Sequence, residues 1–227
     1  DAQDICASLQ IGHEVVLHRD DNADALGIAG QHFLVQAATT ATSVTPAHLV
    51  NETIGKGAKV GLITNSGFRD ILHIGRHQRP QHYSIGQEIP WQNRALIERK
   101  FRKTIACRLD SSGNEIIPLD ETSILDHLEF FKNNNVNSIL IAFLFSFRNN
   151  THENHVLKIV KEQMPSAFVT TSSNVSPQFR EFERFTTGAV AAFIGPKVTN
   201  YIDNLSYNLR KICPESELRI MTSSGGL

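Results

Sequence analysis

A short apolar run, residues 138–147 (SILIAFLFSF), lies between two segments that have the spacing of amphipathic helices. The run is about half of the roughly 20 residues that a membrane-spanning helix needs, and it is also short for a buried helix. We therefore predict a central strand over residues 139–145. The flanking segments carry apolar residues at helical spacing: Ile124, Leu125, Leu128 and Phe131 before the run, then Val156, Leu157, Val160 and Met164 after it.

Further strands and helices follow from the same kind of pattern. A helix is predicted to open at residues 66–72, and Ser176-Pro177 is typical of a helix start. Residues 186–212 have a long helical pattern, in which Gly195-Pro196 predicts a kink or a break. Strands that alternate with these helices indicate an α/β fold with a mixed, partly parallel sheet flanked by helices. The other predicted strands are residues 59–64, 103–109, 115–117, 168–170 and 218–221.

Composition argues against several classes of protein. The 227 residues carry 22 Lys and Arg against 23 Asp and Glu, and a net charge of −1 does not favour a nucleic-acid partner. Cys6, Cys107 and Cys213 are too widely spaced for a disulfide framework, which favours a reducing, cytoplasmic setting. We find no targeting or membrane segment and expect no membrane partner. The chain starts at Asp1 and stops just after an apparent strand, so we expect a fragment of a longer protein.

Charge is uneven along the chain. Residues 66–108 contain nine basic and three acidic side chains, so this segment carries +6 and the remainder carries −7. Guanidinium groups suit carboxylate and phosphate, which makes the segment a candidate anion-facing surface. The alternative, which we favour for a charge run, is a solvated loop paired with acidic neighbours of the same protein.

Two histidine patterns superficially resemble metal sites. His73 and His77 have the i, i+4 spacing, but the glutamate that a metalloprotease motif places next to the first histidine is missing. The segment 152–155 (HENH) is one residue shorter than His-Glu-x-x-His. Its Glu153 is better explained, together with Asn150, as a helix-capping residue. We therefore predict no metal site.

The last residues contain a candidate phosphate loop. Residues 222–226 (TSSGG) directly follow a predicted strand, and small hydroxyl and glycine residues leave backbone N–H groups free to approach a phosphate. The alternative is an ordinary Ser-Gly turn. We recognise no Walker-type loop, no Gly-x-Ser-x-Gly motif and no Ser/His/Asp constellation, so catalytic residues stay unassigned.

Six sequence blocks, in one order, resemble the hydantoinase/oxoprolinase family. Six matches in register across residues 57–227 are hard to obtain by chance. The blocks are GAKVGLIT with GFRDIL in residues 57–72, IGR with RP in 74–80, LFSFRN with HE in 144–153, SNVSP with REFER in 173–184, AFIGP in 192–196 and MTSSGG in 221–226.

The resemblance implies an ATP-dependent cyclic-amide hydrolase of the 5-oxoprolinase or N-methylhydantoinase kind. ATP with Mg²⁺ is expected to phosphorylate an amide or carbonyl oxygen, within an actin-like (ribonuclease H-like) ATPase architecture. The alternative is a non-catalytic subunit or domain that binds partner chains in a related ATP-dependent carboxylase complex. By position, the second phosphate-contacting loop of the family matches Ser223, Ser224, Gly225 and Gly226. The substrate or anion candidates, which fall where the family's N-terminal domain faces the cleft, are Arg69, Arg76 and Arg79.

Part of the family pattern is not found. Before residue 57 there is no Asp-x-Gly-Gly-Thr-Phe-Thr-Asp loop and no His-Gly-Thr-Thr block, although Val15–Leu17 and Phe33–Val35 are short strand candidates. We therefore divide the chain into a poorly matched segment (1–56), an N-terminal-like domain (57–185) and the truncated start of the following domain (186–227). The fragment alone is expected to be inactive. Its expected partners are a small-molecule cyclic amide and, in a homo- or hetero-oligomer, the rest of the parent chain or a second subunit.

Overall fold

The computed structural model describes residues 57–77, 81, 83–87, 89, 92 and 95–212, together with strands at residues 15–18 and 217–220. The strands are β1 (Val15–His18), β2 (Val60–Asn65), β3 (Arg102–Ile105), β4 (Arg108–Leu109), β5 (Glu115–Ile117), β6 (Ser138–Ala142), β7 (Phe168–Thr171) and β8 (Glu217–Ile220). The helices are α1 (Ile71–Ile74), α2 (Glu121–Asn133), α3 (Thr151–Gln163), α4 (Ser172–Val175) and α5 (Glu181–Ile212). Residues 75–77 and 99–101 form short 3₁₀ turns.

The core is a four-stranded parallel sheet with the strand order β3-β2-β6-β7. Leu62 of β2 pairs with Arg102 of β3 on one side and with Leu140 of β6 on the other, and Leu140 pairs with Thr170 of β7. Two antiparallel pairs, β4 with β5 and β1 with β8, complete the described strands. The predicted α/β fold with a partly parallel sheet is therefore confirmed.

The two central strands are buried along their whole length. Every residue of β2 and of β6 is buried, as expected for parallel strands that are covered on both faces. The strand predicted at residues 139–145 ends at Ala142, because side chains rather than a neighbouring strand bind the next two backbone N–H groups. Phe145 then has a positive φ of 60°, which turns the chain away from the sheet.

Helices α2 and α3 form where the apolar spacing predicts them. Asp120 caps α2 by accepting a hydrogen bond from the backbone N–H of Ser123, as predicted. Ile124, Leu128 and Phe131 of α2 are buried in the core. Leu125, which the spacing placed on the same face, is 49% exposed, so the buried stripe is narrower than predicted.

Three helix predictions need correction. The helix expected to open at residues 66–72 is a single turn at α1, because Gly67 with a φ of 90° belongs to a turn after β2. Ser176-Pro177 does not start a helix, since it follows α4 and the long helix begins only at Glu181. The break predicted at Gly195-Pro196 does not occur, because α5 runs through both residues, whereas the alternative, a kink, stays a prediction.

Among the residues that the structure describes, none of the helices combines the length and the apolar character that crossing a bilayer requires.

Candidate functional site

The carboxyl ends of the four parallel strands lie along one edge of the sheet, where ligands bind in many α/β folds. The chain passes from β2 to β3 on one side and then returns to β6 on the other, so the strand order reverses between β2 and β6. Asn65 is the last residue of β2, and Phe143 and Leu144 directly follow β6. A ligand-binding site is therefore expected at this edge of the sheet.

Asn65 ties together the segments that follow three strands. Its Oδ1 accepts a hydrogen bond of 2.6 Å from the N–H of Leu144, and its Nδ2 donates to the carbonyl oxygen of Cys107 at 2.7 Å. The same Nδ2 lies 3.0 Å from Cys107 Sγ. Burial raises the pKa of the Cys107 thiol to about 12, so this thiol is held neutral. The Asn65 side chain therefore links the segments after β2, β3 and β6 at the position where the strand order reverses.

Glu153, from the first turn of α3, is the buried acid of this edge. Its side chain is fully buried, and its carboxylate accepts four hydrogen bonds. Oε1 accepts from the N–H of Phe143 at 3.0 Å and from Ser172 Oγ at 2.6 Å. Oε2 accepts from the N–H of Ser173 at 2.9 Å and from Ser173 Oγ at 2.5 Å. The interpretation of Glu153 as a helix cap is therefore wrong: it joins α3 to the ends of β6 and β7.

Arg184 of α5 completes this network and is also fully buried. Its Nε donates to Ser172 Oγ at 3.1 Å, Nη1 to the carbonyl oxygen of Gln178 at 2.8 Å, and Nη2 to that of Phe143 at 2.9 Å. Burial lowers the pKa of the Arg184 guanidinium, and the negative charge of Glu153 opposes that shift. Ser172 Oγ donates to Glu153 and accepts from Arg184, so this hydroxyl links the two buried side chains.

These contacts define what the network can do chemically. The hydroxyl groups of Ser172 and Ser173 and the N–H of Ser173 are all bonded to Glu153 or Arg184, so they do not form a phosphate cradle. Glu153 has no free oxygen lone pair aimed at solvent, since its side chain is fully buried. The network is thus a support for the sheet edge rather than a reacting centre.

The two candidate arginines that the structure describes, Arg69 and Arg76, are paired with different carboxylates. Arg69 Nη2 lies 3.3 Å from Asp70 Oδ2, whereas Arg76 Nη2 lies 2.5 Å from Glu183 Oε2 on α5. Arg76 has a positive φ of 55°, an uncommon conformation for a residue with a side chain. Arg79 and the predicted phosphate-loop residues Ser223, Ser224, Gly225 and Gly226 lie outside the described residues.

The two histidines of the HENH segment each lie against a carboxylate. His152 Nε2 lies 2.6 Å from Glu115 Oε2, and His155 Nε2 lies 2.8 Å from Glu121 Oε1. Within the described part of the chain, no group of three or more His, Cys, Asp or Glu side chains is arranged to hold a metal ion. Within the basic segment, Arg76 is paired with Glu183 of α5, whereas the partners of Arg69, Arg99 and Lys100 are acidic residues of the segment itself, so both interpretations of its charge stay open.

Sequence reasoning missed Asn65, Arg184 and the role of Glu153. The partners of Glu153 are 10 to 20 residues away, and one partner of Arg184 is 41 residues away. The periodic spacing of residues in a helix or a strand does not indicate contacts between residues that are so far apart in the sequence. The one available signal was the REFER block, which contains Arg184.

Comparisons with known proteins give a consistent result. Residues 29–164 match the family model of the hydantoinase/oxoprolinase N-terminal region. The chain is 34% identical over 169 residues to an uncharacterised protein of Methanocaldococcus jannaschii, covering 74% of this chain and 24% of that protein. It is 31% identical over 206 residues to caprolactamase subunit alpha of Pseudomonas jessenii, covering 90% and 29%. It is 29% identical over 181 residues to the acetophenone carboxylase gamma subunit of Aromatoleum aromaticum, covering 75% and 25%.

Two solved structures share the fold. The crystal structure of the ATP-dependent caprolactamase from Pseudomonas jessenii has a TM-score of 0.61 at 28% identity, over 84% of this chain and 29% of that one. A nucleotide-free acetone carboxylase structure has a TM-score of 0.58 at 23% identity, over 72% and 24%, and supports the fold alone. The chain spans only 24–29% of the length of all these relatives.

Proposed function

Because the chain belongs to the hydantoinase/oxoprolinase family, we propose that it is part of an ATP-dependent enzyme that hydrolyses a cyclic amide. The family resemblance drawn from the six sequence blocks is thereby confirmed, while the activity is our proposal. It rests on the similarity to caprolactamase subunit alpha, which extends over 206 residues of sequence and over the fold. The proposed substrate is a small-molecule cyclic amide of the kind opened by 5-oxoprolinase or N-methylhydantoinase.

The proposed cofactor is ATP with Mg²⁺, in an actin-like ATPase architecture. We assign the phosphate contact to Ser223, Ser224, Gly225 and Gly226, because small residues after a strand let backbone N–H groups approach a phosphate. The described residues support this choice indirectly. The hydroxyl groups of Ser172 and Ser173 and the N–H of Ser173, at the carboxyl edge of the parallel sheet, are already bonded to Glu153, so these donors do not compete for the phosphate role.

The division of the chain stays a prediction. We propose an N-terminal-like domain over 57–185 and the start of a second domain over 186–227, with helix α5 (Glu181–Ile212) passing from one to the other. Turnover then needs the remainder of the parent chain or a second subunit, and relatives named as subunits support a multi-chain assembly. A cytoplasmic location also stays a prediction.

The test uses the full-length parent protein. ATP hydrolysis is measured with Mg²⁺ in the presence of 5-oxoproline, hydantoin or caprolactam, for wild type, Gly225→Val and Gly86→Val. Gly225→Val is expected to lose nucleotide binding, because a side chain blocks the approach of the backbone to phosphate. Gly86→Val is the matched control, since a Cβ at Gly86 has no atom within 4 Å among the described residues other than its two chain neighbours. Unchanged nucleotide affinity in Gly225→Val would remove the phosphate-loop assignment, and no amide-dependent ATP hydrolysis would contradict the function.

Arg69, Arg76 and Arg79 remain candidates for contact with the substrate or with an anion. For Arg76, the ion pair with Glu183 supports a structural role as an alternative. Arg76→Ala in the parent is expected to have its main effect on substrate binding: the Michaelis constant rises clearly, and the melting temperature falls only slightly. The reverse result makes Arg76 a structural residue.

A second candidate function comes from another class. The similarity to the acetophenone carboxylase gamma subunit supports a non-catalytic subunit that binds partner chains in an ATP-dependent carboxylase complex. In that case the basic segment 66–108 forms an interface. The parent would then turn over ATP only with a co-purifying partner chain and bicarbonate, and would show no amide-dependent ATP hydrolysis on its own.

A further inference from the structure

Three arginines surround one carboxylate beside the edge strand β3. Asp70 accepts two hydrogen bonds from Arg99, at 3.0 Å each, and two longer ones from Arg69, at 3.3 and 3.4 Å. Arg102 Nη1 lies 3.8 Å from Asp70 Oδ1, which is too long for a hydrogen bond. We call these four residues the Asp70 cluster. With three positive charges and one negative charge, the cluster has an uncompensated positive charge.

Arg102 is the unusual member of the Asp70 cluster. Its side chain is only 2% exposed, and its Nε and Nη2 both donate to the carbonyl oxygen of Ile97, at 3.0 and 2.8 Å. Its buried Nη1 has no hydrogen-bond partner among the residues that the structure describes. Leaving a buried donor without a partner costs about 1–3 kcal/mol. Burial lowers the pKa of Arg102. The negative charge of Asp70 opposes this shift, and the positive charges of Arg99 and Arg69 add to it.

Two other basic side chains of the segment 66–108 have one carboxylate each. Arg76 is paired one to one with Glu183, and the exposed Lys100 is paired with Glu98 at 2.7 Å. Asp70, in contrast, is shared between guanidinium groups, and it cannot bond Arg99, Arg69 and Arg102 equally well at the same time. The two outer arginines are accessible, since the side chains of Arg69 and Arg99 are 47% and 62% exposed.

We propose that the Asp70 cluster is an anion-exchange site for a small ligand that carries a carboxylate or phosphate group. The ligand binds the exposed guanidinium groups of Arg69 and Arg99, and the Asp70 carboxylate that it displaces moves onto Arg102 Nη1. A movement of about 1 Å is sufficient, because charge-assisted N–H···O bonds are about 2.7–2.9 Å long. The ligand compensates the excess positive charge, and the displaced carboxylate satisfies the buried donor. This site does not depend on the proposed amide hydrolysis.

The test measures binding of inorganic phosphate and of acetate to this chain by calorimetry and by NMR of the arginine Nε–H groups. Arg99→Gln is expected to weaken phosphate binding about tenfold or more, since it removes two charge-assisted hydrogen bonds. Lys100→Gln is the matched control: it removes the same charge from the neighbouring residue, which bonds Glu98 rather than Asp70. Asp70→Asn is expected to tighten phosphate binding, because the neutral asparagine competes less well than the Asp70 carboxylate for the guanidinium groups of Arg69 and Arg99.

A second readout follows the exchange itself. Phosphate is expected to shift the Arg102 Nε–H signal, although Arg102 does not contact the ligand, and Asp70→Asn is expected to abolish that shift. Circular dichroism of each variant establishes that it is folded, and Arg99→Lys, which keeps the charge but not the planar fork, is expected to be intermediate. Equal weakening by Arg99→Gln and Lys100→Gln, or no saturable binding of either anion, would overturn the proposal.

Discussion

The hydroxyl group of Ser138 donates a hydrogen bond of 2.6 Å to the carbonyl oxygen of Ala192, in the middle of helix α5. Pro196 has no N–H group, so the carbonyl four residues before it lacks its helical partner. Ser138 is the first residue of β6 and supplies that partner from the sheet. The next carbonyl, of Phe193, accepts from the N–H of Ala58 at 2.9 Å. The helix therefore continues through its proline because donors outside the helix bind these carbonyls.

Replacing Ser138 with alanine is expected to lower the free energy of unfolding by about 1–3 kcal/mol, because it leaves a buried carbonyl without a donor. In a Pro196→Ala background the loss is expected to be smaller, since an alanine in place of the proline provides a backbone N–H for the Ala192 carbonyl. Urea unfolding of the two single variants and of the double variant measures this coupling. Equal losses in both backgrounds would show that the Ser138 hydroxyl does not serve the proline site.

Glu153→Gln is expected to be among the most destabilising isosteric changes in the chain. The glutamine amide group places an N–H₂ where backbone N–H groups of Phe143 or Ser173 donate, so a buried donor loses its acceptor. An unsatisfied buried donor costs about 1–3 kcal/mol, and more where a charged group is involved. Glu162→Gln, at an exposed position of the same helix, is the control and should change stability by less than about 0.5 kcal/mol. A similar effect of both variants in urea unfolding would contradict the buried role.

Glu153 and Glu162 lie on the same helix, which the sequence predicts, but the sequence does not predict that only Glu153 is buried in a hydrogen-bond network. Helices α2 and α3 were predictable because their apolar residues repeat with the helical period, and strands β2 and β6 because each is a short, uninterrupted apolar run. The function of Glu153 was not predictable, since its place in the first helical turn is equally compatible with capping. Its actual partners are fixed by how β6, β7 and α3 pack together. The end of β6 at Ala142 was missed for the same reason.

Gly61→Ala is expected to destabilise the core by about 1–3 kcal/mol through overpacking. A Cβ at Gly61, in β2, lies 2.8 Å from Phe131 Cζ, and Phe131 is fully buried, so its ring has little room to move. Combining Gly61→Ala with Phe131→Leu tests the contact. The double variant is expected to be more stable than the sum of the two single effects, as measured by urea unfolding, and simple additivity would argue against the contact.

Asp70 is expected to make stability depend on pH in the acidic range. The hydrogen bond from Arg99 holds the pKa of Asp70 at about 2, below its ordinary 3.8. A folded-state pKa that is lowered adds stability above the ordinary value, and this contribution is lost as the pH falls from about 4 to 2. The stability difference between wild type and Asp70→Asn should therefore shrink over that range. Carboxyl NMR of Arg99→Gln should show the Asp70 midpoint returning toward its ordinary value, and an unchanged midpoint would rule out Arg99 as the main cause.

The thiol of Cys107 is expected to be inert in the folded protein. Only the thiolate attacks disulfide reagents, and burial raises the pKa of this thiol to about 12, so at pH 8 only about one molecule in ten thousand carries a thiolate there. The measurement uses a Cys6→Ser, Cys213→Ser variant, in which Cys107 is the remaining cysteine, and follows its reaction with an aromatic disulfide at pH 8. Labelling is expected to be slow in buffer and complete within minutes in urea, which serves as the control. Fast labelling without denaturant would mean that Asn65 and its neighbours do not keep this edge of the sheet closed.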